Sequence, residues 1–289
     1  MSDQLKGGVS LHEPMDVVIH IGAPKTGSSA IQRFCIKNRR ALRDAGYYYP
    51  KHAVDKNGVS GGHSILAGLL RREKVGLAKL YFRYLLLKAR LQGKTLLLSS
   101  EGFCRSAARF APLLEGLNVW VVGWFRHPIE AFVSNYNQSI KRHFRTETIA
   151  SLFDGMSPRR RPPHLSGKRL HRWADVVGDE RCTFIPYLKP TGVDDEQPIE
   201  ERWLQVIGVA PEQFANFAFD AKRVNRSYVP DALELKRLLN VVLSADDRAT
   251  SRAIDWALQD YSDQQEEDAV ELGVHLEPEH VKRLSHIFS

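Results

Sequence analysis

Three observations predict an α/β protein with a doubly wound, mostly parallel sheet, flanking helices and a helical C-terminal third. Short apolar runs typical of buried parallel strands recur at 17–21, 94–100 and 118–125. Segments of helical periodicity separate them, and strands alternating with helices in this order imply right-handed crossovers within one sheet. The last third is helical by periodicity at 199–207, 231–243, 245–258 and 278–288.

Taken in order, residues 1–14 are polar and glycine-containing and read as a loose lead-in. The first strand, VVIHI, stops at a stretch containing Gly22, Pro24 and Gly27. A helix then runs from Ser28 to about Leu42, with Ile31, Phe34, Cys35 and Ile36 inward, and Gly46 closes it. An extended piece is expected at 47–50, a loop at 51–62, and helices at 63–73 and 75–92. The strand at 94–100 ends abruptly at Glu101. After a short connection the strand at 118–125 leads into a helix over RHPIEAFVSNYNQSIKR. Residues 146–168, with an arginine run between prolines, read as a basic loop; a helix at 169–177 and a last strand at 182–187 follow.

A chain of 289 residues, 43% hydrophobic and 26% charged, reads as one soluble globular domain over 1–289. No segment reaches the roughly 20 apolar residues of a membrane span, and MSDQLKGG lacks a secretory core, so the expected location is cytoplasmic. Cys35, Cys104 and Cys182 are far apart, without metal spacing, and read as small buried side chains. The net charge of +7 favours anionic ligands. Nucleic acid is not expected, since no zinc-finger, RNP-like or basic-zipper pattern accompanies that charge.

The chemistry concentrates in the turn after the first strand. A glycine turn opening a helix leaves several backbone N–H groups unpaired at the positive end of the helix dipole, which suits phosphate or sulfate. Lys25, Thr26, Ser28 and Ser29 add a cation and three hydroxyls. Gly22 and Gly27 have the spacing of a nucleotide-triphosphate loop, G-x-x-x-x-G-K-[ST], but Ser28 stands where the lysine belongs. Glu101, at the carboxyl end of a parallel strand, lies where ligands usually bind.

PKTGSS, from Pro24 to Ser29, resembles the 5′-phosphosulfate loop of sulfotransferases that use 3′-phosphoadenosine 5′-phosphosulfate (PAPS). A second resemblance lies at WFRHPIEAFVSNY, where Arg126 at a strand end and Ser134 eight positions later match the family's 3′-phosphate pair. The motifs cover about residues 15–140, and WADVVGDE from Trp173 is more weakly similar to bacterial members. The resemblance implies a P-loop NTPase-like sulfotransferase fold and in-line transfer of a sulfuryl group to an acceptor hydroxyl, with 3′,5′-adenosine bisphosphate leaving and no metal. It assigns Pro24, Lys25, Thr26, Gly27, Ser28 and Ser29 to the 5′ end of the cofactor, and Lys25 to charge on the bridging oxygen. Glu101 is the expected general base, with His63, after two glycines at a loop-to-helix junction, as its rival; His127 belongs to the turn.

The chain departs from the family at Ala30, where cytosolic members carry the tryptophan that stacks on adenine, and it lacks their C-terminal R-K-G loop. Lys222 and Arg223, in AKRVNRSY, are a candidate substitute. The acceptor class implied is a glycan, glycolipid or small hydroxylated metabolite. Two other readings stay open: a P-loop kinase or ATPase, with Glu101 as a metal carboxylate, and an inactive nucleotide-fold binding protein that grips an acidic partner through its basic loop.

Overall fold

Along the chain the elements are β1 (Val17–Ile21), α1 (Ser28–Lys37), α2 (Arg39–Asp44), β2 (Tyr47–Tyr48), α3 (Ser64–Arg71), α4 (Val75–Arg90), β3 (Thr95–Ser100), α5 (Ala107–Leu114), β4 (Val119–Phe125), α6 (Pro128–His143), α7 (Ile149–Asp154), α8 (Lys168–Val177), β5 (Cys182–Pro186), α9 (Ile199–Val206), α10 (Pro230–Leu239) and α11 (Arg248–Asp263). They come from a computed structural model that describes residues 15–53, 61–154, 167–187, 197–219, 228–243 and 248–265. Two compact units result, Met1–Arg126 with Gly167–Ala221, and His127–Ser166 with Lys222–Ser289.

In the first unit five strands pair in the order β2-β3-β1-β4-β5, every pair parallel. Alternate residues of each strand face opposite sides, and both sides are apolar. Val17, Ile19, Leu96, Leu98, Val119 and Val121 pack with Leu66 of α3, Phe82 of α4, Phe110 of α5 and Trp173 of α8. Val18, Leu97, Trp120, Val122 and Trp124 pack with Phe34 of α1, Leu42 of α2 and Trp203 of α9. Helices therefore cover both faces, as the predicted doubly wound sheet requires.

The structure corrects several boundaries. The helix expected to run to Leu42 breaks at Asn38, whose side-chain amide donates to Phe34 O at 3.1 Å and Ala218 O at 3.0 Å, and whose Oδ1 accepts from Ala218 N at 2.7 Å. An asparagine that bonds backbone in this way competes with the helical ladder and separates α1 from α2. The second strand spans two residues instead of four. What read as a short connection after Glu101 holds a 3-10 turn at Glu101–Arg105 and then α5, which buries Phe110, Leu113 and Leu114 despite Pro112. Part of the expected basic loop is α7; residues 155–166 of it, the lead-in 1–14 and the expected helix at 278–288 lie outside the described residues. All three cysteines are free, Cys35 and Cys104 buried and Cys182 half-buried.

The second unit is helical. Val133, Tyr136 and Ile140 of α6 pack with Tyr228, Val229, Leu233 of α10 and Leu258 of α11. Its core contains a charge: Lys236 is fully buried, its Nζ 2.9 Å from Asp255 Oδ1 and 3.3 Å from Ser251 Oγ. The pair ties α10 to α11, because a buried ammonium is tolerated only where it is paired and hydrogen-bonded. Asn240 adds a second tie, donating to Ile140 O and Arg145 O.

Two histidines are buried around Ser99 in the first unit. His20 of β1 lies between Trp124 and Trp203, its Nδ1 2.8 Å from Ser99 Oγ. His63 accepts at Nδ1 from Ser99 N at 3.0 Å, and its Nε2 is 3.2 Å from Pro50 O. Burial lowers both from 6.5 to about 3; for His63 the neighbouring His52 also contributes. A depressed imidazole pKa gives stability that is complete above the unfolded value and lost as pH falls towards the folded one. Unfolding free energy should therefore decline between pH 6.5 and pH 3, with each histidine contributing about 1.4 kcal/mol per pH unit. Urea titrations across this range test it: His63→Gln should flatten the slope, and an unchanged slope would contradict it.

Candidate functional site

The site is built where the carboxyl ends of the strands meet the start of α1. Register pairs Ile21 of β1 with Ser100 of β3, so the residues that follow, Gly22 and Glu101, emerge side by side. Gly22 admits no side chain without a shift of Ser28, since a Cβ there would stand 2.3 Å from Ser28 Oγ and 2.7 Å from Ser28 Cβ, with Glu101 Cγ at 3.4 Å. Strand end and helix start thus close on a single missing methyl group, with the Glu101 side chain in ordinary contact beside it.

The turn between them is folded by its own side chains. Thr26 Oγ1 donates to Ala23 O at 2.7 Å and Ser28 Oγ to the same carbonyl at 3.3 Å, and both residues are buried. Lys25 and Gly27 are left-handed, with φ of 66° and 75°. Gly27 caps α1 without a side-chain hydrogen bond, and no acidic residue lies in the helix's first turn. The positive end of α1 is therefore opposed by no anion of its own. Pro24, Lys25 and Ser29 are half-buried around it.

Arg126 follows β4 and donates from Nη1 to Lys25 O at 3.3 Å; its guanidinium stands 5.4 Å from the centre of the Tyr187 ring. This contact joins the two sequence motifs, 101 residues apart, within one unit. A Cβ on Gly27 would lie 3.2 Å from Tyr187 Cε2 and 2.4 Å from Ile199 Cδ1, so the same tyrosine ring borders the turn. Ser134 is a half-buried residue of α6, in the other unit, and His127 is exposed. Lys222 and Arg223 lie outside the described residues.

Glu101 opens the 3-10 turn after β3, where Ser100 Oγ accepts from Gly102 N at 3.3 Å. Its side chain reaches solvent on one side, yet burial of the carboxyl raises its pKa above 4.5, with the Lys25 ammonium pulling the other way. A carboxylate with a raised pKa beside a cation and an anion-binding turn has the properties of a proton acceptor. His63 sits deeper, with both ring nitrogens turned to backbone groups of Ser99 and Pro50.

The sequence reading missed Tyr187 beside the turn, and it singled out neither Arg105 nor Arg169, which lie near Cys104. Tyr187 is carried to the site by the pairing of β4 with β5, its N–H donating to Phe125 O at 2.6 Å. Arg105 ends the turn that Glu101 begins. Arg169, one helical turn before Trp173, whose Nε1 donates to Phe103 O at 3.2 Å, has a buried Nη1 with no hydrogen-bond partner. Burial, together with the nearby Arg105 and Arg172 guanidinium groups, lowers its pKa. Arg105 is placed by its own 3-10 turn, whereas Arg169 is brought near it by the docking of α8 on that turn.

No family model and no curated protein matches the chain. Among solved structures it is similar to the sulfotransferase from Alicyclobacillus acidocaldarius, at 14% identity over 89% of this chain and 98% of that one, with a TM-score of 0.45. It is also similar to a sulfotransferase domain from the curacin biosynthetic pathway, at 13% identity over 96% and 99% of the two chains, with a TM-score of 0.39.

The close approach at Gly22 makes a direct prediction. Gly22→Ala should destabilise the protein by about 1–3 kcal/mol, the usual cost of overpacking. Ser28→Gly, which removes the two atoms within 3 Å of the new methyl, should recover part of the loss in the double variant. Chemical denaturation of the three variants measures the coupling; purely additive effects would contradict the contact.

Proposed function

We propose that the chain is a PAPS-dependent sulfotransferase that moves a sulfuryl group to an acceptor hydroxyl. The observation that carries this reading is the juxtaposition of Glu101 with the turn at Gly22–Ser29, inside the field of Lys25. A base and an anion-binding nest lie side by side, as transfer from a sulfate donor to a hydroxyl requires.

The residues fit the donor by their chemistry. The uncapped N-terminus of α1 and the backbone of Thr26 to Ser29 present N–H groups to a 5′-phosphosulfate, while the Thr26 and Ser28 hydroxyls hold the turn closed. PAPS supplies the activated sulfuryl group: an S–O bond to the acceptor oxygen forms as the bond to the bridging oxygen breaks. Lys25 offsets charge on that departing oxygen, and Arg126 supplies a guanidinium fork for a further phosphate. Glu101 takes the acceptor's proton; the burial of His63 and its two backbone contacts leave that role to the carboxylate.

Glu101 acts as a base only when ionised, so activity should fall as pH drops through a carboxyl pKa above 4.5. Glu101→Gln should lower kcat by about a hundredfold or more while binding of the nucleotide persists. Release of 3′,5′-adenosine bisphosphate from PAPS, followed with phenolic, sugar and glycolipid acceptors, provides the assay. Full activity in Glu101→Gln would remove Glu101 from the chemistry, and absence of turnover with every acceptor would favour the inactive binding protein.

A further inference from the structure

Helix α4 buries one face and leaves an apolar row on the other. Ala78, Phe82, Leu85, Leu86 and Ala89 pack inward. Leu77, Leu80, Tyr84 and Leu87, with Leu91 just after the helix, point outward and are each 49–78% exposed. Their spacing of three and four residues places them on one stripe, about 21 Å long at the helical rise of about 1.5 Å per residue. A continuous exposed apolar row of this kind marks an interaction surface.

The charges that α4 itself carries beside the row are of one sign, and one of them, Arg90, pairs with Asp16 at 2.8 Å. On the helical wheel Lys79, Arg83 and Arg90 flank it on one side and Lys88, whose Nζ stands 4.7 Å from the centre of the Tyr84 ring, on the other. The helix has no acidic residue. Arg71, Arg72, Lys74 and Lys94 bracket it in sequence, against a single acid, Glu73, which pairs with Arg109.

From this we infer that α4 is a membrane-surface contact, lying in the interfacial plane of an anionic bilayer with its leucines among the acyl chains and its lysines and arginines at the lipid phosphates. Three observations select this occupant. A second copy of α4 would bring basic flanks against basic flanks. The apolar row covers two heptads, short of the three to four that sustain a coiled coil. The combination of a leucine and tyrosine row with lysine and arginine flanks is that of interfacial helices. No described helix is long and apolar enough to cross a membrane, so the contact is superficial. It is independent of the activity proposed above.

Flotation of the full chain with phosphatidylcholine vesicles, with and without phosphatidylglycerol, tests this. Binding should require phosphatidylglycerol and weaken with salt. Leu80→Ser with Leu87→Ser, both at exposed positions, should reduce it about tenfold or more, and Arg83→Gln with Lys88→Gln by about tenfold. Leu87→Trp should shift its emission to the blue on anionic vesicles, and circular dichroism should show all variants folded. Failure to bind anionic vesicles, or binding unchanged in the leucine variant, overturns the inference. A dimer in sedimentation velocity that dissociates in the leucine variant, without vesicle binding, would assign the row to a second copy instead.

Discussion

The absence of a side chain at Gly22 is the constraint on which the site depends. Because Ser28 Oγ fills the space a Cβ would take, α1 begins directly against the end of β1, and its first N–H groups are delivered to the carboxyl edge of the sheet. Glu101 packs against the same gap from the neighbouring strand. Any side chain at position 22 would push against Ser28 at the helix start, so the proposed anion-binding turn rests on this one steric requirement.

Ser99 is the second fixed point. Through its hydroxyl it holds His20, and through its backbone it holds His63, so β1, β3 and the entry to α3 are pinned just beneath the carboxyl edge of the sheet. Both imidazoles are neutral at physiological pH because they are buried. For the proposed transfer this pinning is preorganisation: donors that do not reorganise when charge develops. Lys236 with Asp255 performs a comparable locking role within the helical unit.

Much of this was legible in the sequence because it rests on local pattern. Apolar runs located the strands, the glycines located the turn, and Glu101 announced itself by ending a strand. Asn38 was not legible as a break, since its effect depends on Ala218, far along the chain. Nor was α5, where Pro112 and the short run after Glu101 obscured a helix that tertiary burial of Phe110 secures. His63 read as an accessible imidazole from its glycine neighbours, whereas its partners, Ser99 and Pro50, are set by the fold. Tyr187 reaches the turn through strand pairing, which leaves no periodic trace. The outward row of α4 was present in the spacing, but spacing alone does not tell an outward stripe from an inward one.

Calorimetric titration with 3′,5′-adenosine bisphosphate, beside ATP with magnesium, tests the central claim most directly. The account predicts that the bisphosphate binds more tightly than ATP, needs no magnesium, and loses affinity in Arg126→Ala. No binding of the bisphosphate, or a preference for ATP with magnesium, would contradict the sulfotransferase reading and turn the same strand-end site towards phosphoryl transfer.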